Sequence, residues 1–282
     1  MIIGLGEALD YARTHGIAIA AVNTPFFEGL VATIDAAEAT GVPVILQHAQ
    51  VHENVMSIED IGPAMVALAA RSEAPFVLHI DHGEDIDYIA RGLEVGFNSA
   101  MIDGSLLPFE ENVARTAAVV ALARERGVGV EGELGVMTGN ENGDPSQGVA
   151  DADLYTDPAQ AREFVARTGV TALAASFGTV HGVYHREPEI NYPLIDRLCD
   201  ATGVPLVMHG GSGLTAQEYR ACIAHGVRKI NYYTYAAKVA LDAAREAASD
   251  PATILFPKVA AASTRAVEAD VARFIRTLAG QA

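Results

Sequence analysis

The sequence predicts an α/β fold, a closed (β/α)8 or TIM barrel, on three observations. Short apolar runs rich in β-branched residues recur eight times, with amphipathic helical patterns between them. Alternation of strand and helix through eight units favours parallel strands closed into a barrel. The chain has 282 residues, 50% of them hydrophobic, which suits one barrel of this kind. An open doubly wound sheet is the alternative. No Gly-x-Gly-x-x-Gly follows the first run, which disfavours its dinucleotide-binding version.

In chain order the predicted strands fall near 17–22, 42–47, 75–80, 99–102, 128–131, 171–176, 205–208 and 228–231. Pro43 and Pro205 stand at strand entries, where a missing N–H is tolerated. Stretches 64–70 and 112–126 carry helical patterns, and Gly41, Gly96, Gly127, Gly169, Gly203 and Gly226 are placed to end helices. The expected organisation is one barrel domain over 1–282, with a helical C-terminal extension at about 250–282. One long stretch, 135–153, is rich in Gly, Asn and Asp. A loop of that length is usually functional or mobile, and it is expected to close over a substrate.

Composition narrows the partners. The net charge of −17, from 36 acids against 19 Lys plus Arg, argues against a nucleic-acid partner. The first seven residues lack a basic region and a long apolar run, so neither a signal peptide nor a membrane span is expected. Cys199 and Cys222 have no metal-type or redox spacing and are expected as buried free thiols. A cytoplasmic location fits these features.

The chemistry centres on the stretch Pro75 to Gly83, an apolar run that ends in Asp81 and His82. Active sites of this barrel lie at the C-terminal ends of the strands. Asn23, His82, Glu131, Glu133, His181, His209 and Asn231 all fall at such ends. A lone histidine is more often a satisfied core or surface group. Three of them at the ends of strands three, six and seven, each beside Gly or Asp, favour a metal site, because three imidazoles with an open position form a catalytic zinc pattern. Gly210-Gly211-Ser212-Gly213 before a helical stretch reads as a phosphate cradle, against the plainer reading of a glycine-rich turn. Thr234 is placed to cap the next helix or to bind the same phosphate, and Arg186 to add a cation.

Six motifs in order carry a resemblance. They are His79-Ile80-Asp81-His82-Gly83, Met101-Ile102-Asp103-Gly104-Ser105, Glu131-Gly132-Glu133-Leu134-Gly135, Gly178-Thr179-Val180-His181-Gly182, His209-Gly210-Gly211-Ser212-Gly213 and Lys229-Ile230-Asn231. Together, over about 23–238, they resemble the class II, metal-dependent ketose-bisphosphate aldolases, the fructose and tagatose enzymes among them. The resemblance implies reversible cleavage to dihydroxyacetone phosphate and an aldehyde through a metal-stabilised enediolate. His82, His181 and His209 would hold one Zn2+ per subunit, with Glu133 serving an alternative metal position. Asp81 would exchange a proton with the hydroxyl on the carbon that becomes the aldehyde. Glu141, in the long loop, would take the proton that makes the enediolate, and Asn231 would hydrogen-bond it. Gly182, Gly210, Gly211, Ser212 and Thr234 would hold the phosphate, with Asn23 and Arg186 also touching substrate. A monovalent cation (Na+ or K+) near the phosphate and a homodimer or homotetramer are implied as well.

The chain departs from the family pattern on one side of the expected site. The usual Gln-x-Ser after strand two is Gln47-His48-Ala49, and the small or acidic residues usual after the strand-eight Asn are Tyr232 and Tyr233. His48 and His52 follow strand two and are candidates for the same rim. The dihydroxyacetone phosphate half is therefore expected to be kept, and the aldehyde half to differ from glyceraldehyde 3-phosphate. Two rivals stand beside this reading. A Schiff-base aldolase needs an activated lysine, for which Lys229 is placed. A non-catalytic sugar-phosphate or metal binder on the same barrel would need neither Asp81 nor Glu141.

Overall fold

The computed structural model describes residues 1–136, 154–182, 184 and 187–281. Eight strands form a closed barrel: β1 Ile19–Asn23, β2 Val44–Ala49, β3 Phe76–Gly83, β4 Ser99–Ile102, β5 Gly129–Leu134, β6 Ala172–Ala175, β7 Leu206–Met208 and β8 Val227–Tyr232. Every neighbouring pair is parallel, and β8 returns to β1 through Ile19 opposite Lys229 and Ala21 opposite Asn231. The fold is the (β/α)8 barrel that the strand–helix alternation predicts. Each predicted strand overlaps an observed one.

The helices are α1 Leu5–His15, α2 Phe27–Thr40, α3 Ile58–Arg71, α4 Ile86–Val95, α5 Phe109–Arg124, α6 Pro158–Thr168, α7 Tyr192–Thr202, α8 Ala216–Ala224, α9 Thr234–Ser249 and α10 Phe256–Leu278. Local chemistry fixes their ends. The side chains of Ser57, Asp85, Asp157, Asn191 and Thr215 accept first-turn N–H groups, and Thr215 with Glu218 completes a capping box. Gly41, Gly96, Gly169 and Gly203 stand at helix C-caps. Gly127 and Gly226 come just past the caps of α5 and α8, Glu125 and His225.

Two helices fall outside the simple alternation. α1 precedes the first strand and touches β1, β5 and β8 together, with Leu5 and Leu9 buried, so it packs across the N-terminal end of the barrel. α10, in the stretch expected as an extension, packs on α2, α8, α9 and β1. Its Asp270 and Phe274 meet Tyr232, whose hydroxyl donates to Asp270 Oδ2 at 2.7 Å and whose ring stacks on Phe274 at 4.1 Å. Cys222 is buried, Cys199 is half-buried, and both are free. Among the described residues, no helix is long and apolar enough to cross a membrane.

The inside of the barrel becomes polar toward the strands' C-terminal ends. Asp81, Glu133 and Asn231 are buried at that end, and Gln47, His79, Ser99, Glu131 and Lys229 are buried along the strands beneath them. Strand alternation turns these positions inward as a set: Gln47 is paired with His79, Ala49 with Asp81 and Met101 with Glu131. A polar interior at this end of a barrel reads as chemistry, because buried polar groups cost stability unless they are satisfied.

Candidate active site

Strict alternation would send Asp81 and His82 to opposite faces of β3. The pairing of β3 with β4 shifts register between Ile80 and Gly83, and His82 takes a φ of 41°. That left-handed backbone is uncommon for a side-chain-bearing residue, and an irregularity of this kind re-aims a strand's side chains beside active sites. Both residues therefore reach one cleft. Their strand runs on to Gly83, so His82 lies within β3 rather than after it.

His82, His181 and His209 converge from β3, the turn after β6 and the turn after β7. Their ring centroids lie 4.5 Å (His82–His209), 5.0 Å (His82–His181) and 5.8 Å (His181–His209) apart, and one ring nitrogen of each lies within 4.8 Å of the others. His82, Asp103 and Glu133 make a second group within the same limit. Carboxylates occupy the outer nitrogens of two rings. His82 Nδ1 donates to Asp103 Oδ2 at 2.8 Å, and His209 Nε2 donates to Glu131 Oε1 at 2.9 Å. The facing nitrogens, His82 Nε2 and His209 Nδ1, are 2.8 Å apart. With the outer N–H groups committed, two neutral rings would oppose lone pair to lone pair, so a proton or a metal ion belongs between them. Buried His181 Nε2 has no hydrogen-bond partner among the described residues. An imidazole-rich set backed by carboxylates suits zinc, and such carboxylates fix the ligating tautomer.

Electrostatics agree. Burial, followed by the neighbouring His82, holds His181 and His209 below the ordinary histidine range, in the neutral form that ligates metals. Burial opposes a charge on His82, but Asp81 and Asp103 outweigh it and raise its affinity for a proton. Burial likewise opposes the Asp81 charge, yet His82 and Lys229 hold its carboxyl well below the usual range. Glu133 is pushed well up, by burial first and by Asp103 second.

Asp81 is gripped from two sides. Asn23 Nδ2 donates to its Oδ2 at 2.8 Å and Asn231 Nδ2 to its Oδ1 at 3.1 Å. Asn231 Nδ2 also lies 3.5 Å from His209 Nδ1, tying the acid to the histidine cluster. On the adjoining sector, a side chain at Gly210 would strike the Val180 carbonyl, and one at Gly211 the Asn231 carbonyl. Only glycine lets this turn lie so close to its neighbours. Ser212 Oγ accepts from the Tyr233 N–H at 3.1 Å, and Thr234 is the first residue of α9. Gly182 follows His181 with a φ of 89°. Asn23, Asp81, His82, Glu133, His181, His209 and Asn231 thus come together, with the glycine turn beside them. Glu141, Arg186 and most of the long loop lie outside the described residues.

The four aromatic candidates divide in pairs. Tyr232 faces outward under α10, and His48 faces outward to the Tyr88 hydroxyl at 2.7 Å and the Met56 carbonyl at 2.8 Å. Tyr233 and His52 meet each other at 4.5 Å between ring centroids. Lys229 does point inward, but its Nζ lies 2.8 Å from Glu131 Oε2. That contact ties the amine to a carboxylate, whereas a Schiff-base nucleophile must be free to attack a carbonyl. The structure adds two side chains to which the sequence gives no role: Asp103, hydrogen-bonded to His82, and Glu131, hydrogen-bonded to His209. The signal was present, since each lies in a motif already singled out and a ligating histidine needs an acceptor behind it.

Comparison with known proteins agrees with this geometry. The family model for fructose-bisphosphate aldolase class-II matches residues 4–281. The fructose-bisphosphate aldolase of Staphylococcus aureus is 36% identical over 238 residues, covering 83% of this chain and 81% of the relative. The crystal structure of the YdjI aldolase from Escherichia coli K12 superposes with a TM-score of 0.88 at 33% identity, covering 99% of this chain and 97% of that one. The fructose-bisphosphate aldolase of Campylobacter jejuni, at 23% identity and a TM-score of 0.78, shares the fold. The chain therefore belongs to the class II fructose-bisphosphate aldolase family, carbon–carbon lyases that are generally metal-dependent.

Proposed function

We propose that this aldolase is a zinc enzyme that cleaves a ketose phosphate reversibly to dihydroxyacetone phosphate and an aldehyde. The observation that carries the reading is one cleft holding three imidazoles with convergent nitrogens and an ionised carboxylate gripped by two asparagines. His82, His181 and His209 would hold the zinc, and Glu133 with Asp103 an alternative position beside His82. When bound, the ion supplies Lewis acidity at the ketone and hydroxyl oxygens, so that the electrons of the broken bond are not left on carbon.

The chain's own residues account for the rest. Cleavage between the third and fourth carbons removes a proton from the fourth-carbon hydroxyl and leaves the bonding pair on the third carbon. Asp81, held ionised and aimed by Asn23 and Asn231, takes the hydroxyl proton. Glu141 delivers the proton that the third carbon needs. Asn231 also hydrogen-bonds the oxygen that gains charge. The phosphate lies on the turn of Gly210, Gly211 and Ser212, with Gly182, the first-turn N–H of Thr234, and Arg186. A monovalent cation beside that phosphate, a homo-oligomeric state and a cytoplasmic location complete the reading.

The test is a cleavage screen over ketose mono- and bisphosphates, with zinc present and after stripping by a chelator. Zinc-dependent release of dihydroxyacetone phosphate is expected. Cleavage that survives in verified metal-free protein, or trapping of a lysine adduct by borohydride, overturns the reading.

A further inference from the structure

His52 is a buried histidine that the described residues leave without a hydrogen bond. It ends the 3₁₀ turn Gln50–His52 after β2 and is 1% exposed, and neither ring nitrogen has a hydrogen-bond partner among the described residues. Its neighbour His48 shows what a structural histidine does here, with both nitrogens engaged. Buried polar groups are almost always paired, so an orphaned imidazole calls for a partner that the described residues do not supply. Thr24 Oγ1, just after β1, and the Gln47 amide on β2 are likewise buried with no hydrogen-bond partner among the described residues.

Its position connects it to the catalytic rim. The ring packs on Tyr233. The backbone N–H of Tyr233 is bound by Ser212 of the glycine turn, so Tyr233 spans from the phosphate side to the His52 side. The charges of Asp81 and His82 act on His52. Ala49, which shares a face with Asp81 through their pairing, adds a methyl and no hydroxyl.

The chemistry of the corner points to a class of ligand. Burial, then His48, holds His52 down to about 4, so the ring is neutral and offers one donor and one acceptor. A hydroxyl group matches both, whereas a phosphate dianion has only acceptors. The acids nearby oppose a second anion. Two described cations are already held: Lys229 by Glu131, and Arg91 by Glu59 and by Glu53, the residue after His52.

We infer that the corner of His52 and Tyr233 is the subsite for the aldehyde half, and that it takes an uncharged, hydroxylated aldehyde rather than one ending in phosphate. This rests on the aldolase reading above. The test runs the zinc-loaded full chain in the addition direction, where the product's stereochemistry need not be known. Consumption of dihydroxyacetone phosphate is followed with glyceraldehyde, erythrose and threose, and with glyceraldehyde 3-phosphate. Exchange of the dihydroxyacetone phosphate proton with solvent is measured separately.

The wild-type kcat/KM for at least one unphosphorylated aldehyde should exceed that for glyceraldehyde 3-phosphate. His52→Phe keeps the stacking and removes both polar atoms. It should lower the ratio of addition to proton exchange roughly 10- to 100-fold, the worth of one or two hydrogen bonds to a buried group. His52→Gln, which restores a donor and an acceptor, should recover much of the loss. A wild-type preference for glyceraldehyde 3-phosphate, or proton exchange without addition to any unphosphorylated aldehyde, overturns the inference without needing a variant. So does an unchanged ratio in His52→Phe. Failure of both exchange and addition in the wild type instead overturns the aldolase reading, and the inference with it.

Discussion

Glu131 lies under the histidine cluster, and Glu131→Gln separates two consequences of that place. Its carboxylate is 2.8 Å from Lys229 Nζ and 2.9 Å from His209 Nε2, with His79 Nε2 at 3.7 Å. Glu131 and Lys229 are both fully buried. Glutamine keeps the shape and removes the charge, leaving the Lys229 ammonium in the core without its partner. Removing one member of a buried ion pair costs about 3–5 kcal/mol. That is a large share of the roughly 5–15 kcal/mol that holds a folded domain together. The same substitution weakens the grip on His209 Nε2, and loss of such an orienting carboxylate typically lowers metal affinity about 10- to 100-fold. The assays are urea unfolding of the zinc-free protein and zinc affinity by competition with a chelator. The double variant Glu131→Gln/Lys229→Met removes the orphaned charge. It should recover most of the stability and little of the zinc affinity. Linkage supplies a further check. Burial opposes the Glu131 charge but Lys229 outweighs it, lowering the folded-state value from 4.5 to about 2. A depressed carboxyl stabilises fully above its unfolded value, so this contribution should fade as pH falls from about 4.5 through about 2, and the variant should lack it. Unfolding of the single variant within about 0.5 kcal/mol of wild type, the scale of ordinary surface substitutions, would refute the buried-pair argument. Zinc affinity that returns together with stability in the double variant would show that Glu131 acts through the fold and not through His209.

Four further outcomes are expected. His209→Ala should purify with little zinc by metal analysis, and zinc should restore activity to chelator-stripped wild type but not to this variant. Asp81→Asn should retain zinc yet lose cleavage by about 10²-fold or more, the worth of a general base; its new amide also meets two donors, Asn23 and Asn231, where the carboxylate met them as acceptor. Glu141→Gln should slow proton exchange in dihydroxyacetone phosphate by roughly 10²- to 10⁴-fold, and a normal exchange rate would remove Glu141 from the mechanism. Tyr232→Phe should cost about 1–3 kcal/mol in unfolding, because it strips a buried hydrogen bond from Asp270; kcat/KM should stay within about twofold, since that ring faces α10.

The barrel and its reactive rim were legible in the sequence because both rest on local periodicity. Apolar runs of strand length, alternating with helical patterns, fix where strands begin and end. Once all eight strands are parallel, every strand end falls on the same rim. Asn23, His82, Glu133, His181, His209 and Asn231 could therefore be placed together without coordinates. α1 gave no comparable signal, because a helix that plugs the barrel's end has the same pattern as one that flanks it.

Tertiary structure decided what depends on direction and on partners from distant strands. Alternation tells only that neighbours diverge, and a bulge resets which neighbour faces in. Hence Asp81 and His82 share a cleft through the irregularity at β3, while Tyr232 turns out and Tyr233 turns in. The sequence offers His48 and His52 as equals, but only the fold supplies His48 with Tyr88 and Met56 and leaves the His52 nitrogens without a hydrogen bond among the described residues. Lys229 looked available as a nucleophile until the barrel closed and set Glu131 against it. Asp103 and Glu131 gained their roles in the same way. A hydrogen bond between residues far apart in the chain exists only once the strands between them have been stacked and twisted into register, and no local pattern encodes it.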